Sequence, residues 1–201
     1  DRMTLDLERE IRKLPRLNSI LLIGICKDSL AAQILGQRLK KTFPHLHIGV
    51  WGCSWITDMS GPSPVHRGIP VSPAHEKICR QEPFKSLLKR YGDPLANIRE
   101  SNVPGLHLFA FYSSNQSWQL DRESTVRLEP YIEKTYVHEG KDEEHHTQIH
   151  GKIIQLIKQT PELVQQWTFE MFHLMQARPD KLPPDKKTPD EPPKEGTLQH
   201  I

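Results

Sequence analysis

The stretch SILLIGICKDSLAAQILGQRL, Ser19 to Leu39, constrains this chain more than any other part of it. It opens with an aliphatic run, the composition of a strand covered on both faces. Gly24 punctuates the run. Leu30, Ile34, Leu35 and Leu39 then recur at helical spacing. A buried strand feeding directly into an amphipathic helix is the first half of a βαβ unit. LHIGVWG, Leu46 to Gly52, supplies a second apolar strand, and such a passage closes as a parallel pair. The expected fold is α/β: a small, mostly parallel sheet with a Rossmann-like βαβ start, flanked by helices.

The remaining segments fit around that unit. Leu7, Ile11 and Leu14 predict a short helix before Pro15, with Thr4 as its N-cap. EPFKSLLKRYG predicts another, stopped by Gly92, and GLHLFAFY a third strand. Thr160 as N-cap and Pro161 at the first helical position predict a helix through TPELVQQWTFEMFHLMQ. With the periodic segment before it, this makes a C-terminal helical pair over Glu143 to Gln176. The run from Met59 to Pro73 holds four Pro and two Gly in fifteen residues, so a loop insertion is expected at about 53–83. The stretch 179–201 has six Pro, nine charged residues and no aromatic. It cannot bury enough apolar surface to offset its ordering entropy, so one domain over 1–178 and a disordered tail are expected.

Charge excludes some functions. Lys plus Arg number 27 against 25 Asp plus Glu, a net charge of +2, and no RNA-binding aromatic motif is present. Nucleic acid is therefore not an expected partner. No apolar run approaches the length of a membrane span, so no membrane is expected. Cys26, Cys53 and Cys79 are widely spaced and form no metal pair or disulfide framework. Reduced thiols point to an intracellular chain, in cytoplasm or nucleus.

The turn after Ile23 is the first candidate site. It lacks G-x-G-x-x-G and the Walker pattern, since Ile25 and Cys26 stand where glycines are wanted. GICKDS is similar to the S-G-G-x-D-S loop of ATP-pyrophosphatase-type enzymes in its Asp28–Ser29 pair, and departs from it at both inner glycines. Lys27, Asp28 and Ser29 are the candidate ligand-binding residues, because a helix N-terminus offers free amides to an anion. Asp142, His146 and His150 fall at i, i+4 and i+8, a fallback metal set. No G-x-S-x-G elbow appears, and Cys53 between Trp51 and Trp55 reads as packing.

These readings favour a non-catalytic interaction subunit or adaptor on a degenerate nucleotide-fold-like domain, with no cofactor. Its partners would be proteins, self-association included. The C-terminal helix carries more apolar surface than one stripe needs, so Trp167, Met171 and Phe172 are the candidate partner-binding residues. The alternatives are a nucleotide- or small-ligand-binding enzyme using the strand-end loops, and a metal-binding module built on the histidines.

Overall fold

The computed structural model describes residues 2–25, 27–53, 77, 80–101, 103, 105–113, 128–138 and 157–178. Helix α1 (Arg2–Arg12) leads into β1 (Ser19–Ile25), and α2 (Lys27–Thr42) connects β1 to β2 (His47–Cys53). Two short helices, α3 (Phe84–Tyr91) and α4 (Pro94–Ser101), precede β3 (Leu106–Ser113). A single 3-10 turn, Glu129–Tyr131, introduces β4 (Ile132–His138), and α5 (Pro161–Ala177) follows. The strands lie in the order β1-β2-β3-β4 and every pair is parallel. The chain is an α/β protein.

Alternation along the strands sends successive side chains to opposite faces. On one face, Val50, Leu108 and Ala110 meet Ala32 of α2 and Ile98 of α4, while Ile48 meets Leu39 and Ile11. On the other face, Trp51, Cys53, Phe109, Phe111 and Tyr136 meet Met171 and Met175 of α5. Gly49 lies under α5: a Cβ there would stand 2.6 Å from Met175 Sδ. The helices thus close both sides of the sheet, as parallel sheets require.

Several expectations are revised. The βαβ start is present, with β1 and β2 paired in parallel through α2; among the described residues the strands then run in simple sequence order, without the reversal about β1 that makes a full Rossmann sheet. Thr4 lies inside α1 rather than before it. Thr160 precedes α5 but its side chain makes no cap bond; its carbonyl accepts from Leu163 and Val164 instead. Two elements were not anticipated. α4 starts on a familiar signal, with Pro94 at its first position and Asp93 Oδ1 accepting from Leu95 N at 2.9 Å. β4 has no apolar alternation because its second residue, Glu133, is a buried carboxylate held by His107 at 3.3 Å. The proposed insertion is described only at its α3 end, the first helix of the C-terminal pair only over 157–159, and the tail beyond Arg178 lies outside the described residues.

Candidate functional site

In parallel sheets, the strand ends that point toward the following helices form the usual ligand crevice. Here that edge carries one row across all four strands: Ile25 pairs with Cys53, Cys53 with Phe111, and Phe111 with Tyr136. Every member faces α5. Trp167 closes over the row, its ring 6.0 Å from Phe111 and 5.2 Å from Tyr136, and Trp51 lies one step deeper, 6.2 Å from Trp167. The carboxyl edge of the sheet is therefore backed by a packed aromatic layer.

The β1–α2 turn forms the rim. β1 ends at Ile25 and α2 begins at Lys27, so one residue in the sequence joins strand to helix. Such a passage is tight. A Cβ on Gly24 would come within 2.5 Å of Ser29 Cα and 2.6 Å of the Asp28 carbonyl carbon, backbone that has no room to move. Ser29 fastens the approach. It is fully buried, and its hydroxyl lies within hydrogen-bonding distance of Gly24 O, at 2.9 Å, and Cys53 O, at 3.3 Å. That side chain is engaged in holding β1, α2 and β2 together and has nothing left for a phosphate. Asp28 is exposed at the first turn of α2. It would repel an anion at the amides that an anion would use. The Lys27 side chain lies outside the described residues.

Burial sets the chemistry of that layer. The Cys53 thiol is pushed well above its usual range by desolvation, which leaves it an inert packing group. The Tyr136 phenol is also pushed up, first by burial, then by the charge of Glu170, to which its hydroxyl donates at 3.2 Å. Lys134 bridges to the same carboxylate. Trp51 Nε1 and His107 Nε2 are buried without a hydrogen-bond partner among the described residues. A hollow of about 350 Å³, lined in part by Ile11, Arg12, Phe43 and His45, sits at the opposite pole, near the amino ends of the strands.

The other candidate residues are placed as follows. Met171 is wholly buried, and Trp167 and Phe172 pack against the same core cluster. The sheet accounts for much of the apolar surface of this helix, with Phe169 left 65% exposed, and Met171 presents nothing to a partner. Asp142, His146 and His150 lie outside the described residues, and no group of three metal-ligating side chains occurs among those described. No helix among the described residues is long and apolar enough to cross a membrane. Sequence reading did not single out Cys26, which stands two residues after Gly24 and directly before α2.

No protein-family model and no curated protein matches this sequence. Two solved structures are similar in fold. One, from Lactobacillus plantarum WCFS1, is provisionally assigned as a cell surface hydrolase; it is 14% identical, with 82% of this chain and 64% of that one covered and a TM-score of 0.40. The other is a capsule O-acetyltransferase of Neisseria meningitidis serogroup A, a mutant in complex with CoA; it is 15% identical, with 77% and 63% covered and a TM-score of 0.38. The chain thus spans a little under two thirds of each. The helix that suggested an adaptor packs its Met171 and Met175 into the core of the sheet, so the expectation of a non-catalytic adaptor does not stand.

Proposed function

We propose that the chain works as an acyl-transfer or hydrolytic domain, with Cys26 as nucleophile on the turn between β1 and α2. The carrying observation is the absence of room for a Cβ at Gly24. A nucleophile elbow is a sharp strand-to-helix turn that brings the two backbones this close, which is why glycine precedes the nucleophile by two positions. Cys26 lies outside the described residues, and its role follows from its place in the chain, next after Ile25. A thiol at a helix N-terminus is shifted toward the thiolate, and the free amides of the first turn stabilise an oxyanion, both against the opposing charge of Asp28. The thiolate attacks an ester or thioester carbonyl carbon. The alcohol or thiol leaves with a proton, and a thioester to Cys26 forms. Water, or an acceptor alcohol, then takes the acyl group and restores the thiol.

Mass spectrometry of the chain mixed with p-nitrophenyl acetate tests this. An acetyl adduct on Cys26 is expected, absent in Cys26→Ser, together with alkylation of Cys26 by iodoacetamide at a pH where Cys53 stays unmodified. Alkylation of Cys26 no faster than that of a free thiol, with no adduct, overturns the assignment.

A further inference from the structure

We propose that the outer edge of β1 is a pairing edge, and that a second copy of this chain occupies it, β1 against β1 in antiparallel about a twofold axis at Leu22. Strand β1 lies at one end of the sheet order, and among the described residues nothing pairs with its outer side. Yet its sequence, SILLIGI, is that of an interior strand. Natural edges are protected by charge, proline, bulges or brevity. β1 has none of these: seven residues, no charged group, no proline, and a regular ladder to β2 from end to end. Ile23 is 50% exposed on the face that α5 covers elsewhere.

The geometry of the edge selects the partner. A twofold axis at the central residue uses all seven positions. It sets Leu21 beside Ile23 of the second copy, on the same face, and covers the exposed side chain. Charge agrees with that direction. Arg16 stands three residues before the strand and Asp28 three residues after it, and both are exposed. Antiparallel pairing brings each Arg16 to the end of the sheet where the other copy carries Asp28. Parallel pairing would set Asp28 against Asp28. The assembled pair is a continuous eight-stranded sheet with no exposed β1 edge. This inference is independent of the chemistry proposed for Cys26, since it reads association and not turnover.

Sedimentation of the full chain over a roughly hundredfold dilution series tests it, because association follows mass action. A concentration-dependent dimer is expected. Arg16→Glu should weaken the dimer at least tenfold, and the double variant Arg16→Glu with Asp28→Arg should restore it. Ile23→Lys should give a monomer, whereas Leu14→Lys, at an equally exposed apolar site away from the strand, should not. Hydrogen exchange of the peptide containing Ser19–Ile25 in the unaltered chain should slow as concentration rises, which keeps the proposal testable if a variant fails to fold. A monomer at every concentration, or a dimer whose Ser19–Ile25 exchange is independent of concentration, overturns it. So does a charge-swapped double variant no better associated than Arg16→Glu alone.

Discussion

The two faces of the sheet are closed by different means. The α2 face is covered by connections that lie close in sequence, and its contacts are mainly aliphatic, with Phe43 at one end. Between its helices, polar groups are buried. Gln33 Nε2 donates to Pro94 O at 2.9 Å and Gln37 Nε2 to Asn97 O at 3.1 Å, tying α2 to α4. The α5 face is covered by a helix more than a hundred residues downstream of β1, and its contacts are large aromatics and methionines. One face is held by many short, local fits with polar clamps. The other is held by a few large rings and the sulfur-bearing side chains that fill between them. A face closed by a distant segment gains little from chain proximity, so each of its contacts must contribute more.

Four changes would break that contrast or sharpen it, and a fifth would bound it. The largest effect is expected at Trp51, wholly buried and in ring contact with Phe111, Tyr136 and Trp167. Trp51→Ala should cost about 3–5 kcal/mol in urea unfolding, while Ile48→Val on the opposite face should cost about 0.5–1.5 kcal/mol. Equal costs would mean that the faces are not differently built. Next is Gly24→Ala, which forces β1 and α2 apart. An overpacking cost of about 1–3 kcal/mol is expected, with loss of any Cys26 acylation in the same protein, since the turn moves with the helix. Gln33→Ala should cost about 1 kcal/mol, a clamp lost at the α2–α4 seam, read by the same unfolding midpoint.

The fourth is a pH effect confined to the α5 face. The folded Tyr136 phenol lies above its unfolded value, because burial and Glu170 both oppose ionisation. The neutral phenol's contribution is complete below the unfolded phenol pKa of about 10, and it is lost as pH rises from there toward the folded value. Tyr136→Phe should therefore flatten the alkaline decline in melting temperature and leave the curve near neutrality unchanged. Smallest of all is Lys134→Ala. The ion pair with Glu170 is partly open to solvent, so a loss of about 0.5 kcal/mol or less is expected in denaturant titration.

The same contrast explains what could be read from the sequence. β1, α2, β2, β3 and α5 announce themselves, because each carries an unbroken apolar pattern of one period. β4 does not, since its buried Glu133 and its exposed Lys134 find partners on β3 and α5 that no local window contains. α4 was legible in principle through Asp93 and Pro94, and was passed over because its eight residues have only a weak stripe. Apolar excess on α5 is ambiguous in the sequence for a related reason. Hydropathy shows how much surface must be hidden, not whether a sheet or a partner hides it. At the candidate site, Lys27, Asp28 and Ser29 draw attention to the β1–α2 turn, but spacing could not say that the Ser29 hydroxyl is spent on the carbonyls of Gly24 and Cys53.

The late arrival of α5 has a consequence for synthesis. A ribosome extrudes all four strands before the helix that covers them, and domains form from the N-terminal side as they emerge. The α2 face can close as soon as β3 and β4 are free of the exit tunnel. The aromatic wall of Trp51, Phe109 and Phe111 has no cover until Met171 and Met175 follow, so for the last part of translation the nascent chain presents a flat, greasy sheet to the cell. That interval is when a chaperone, or a premature neighbour on the same polysome, would find its largest target.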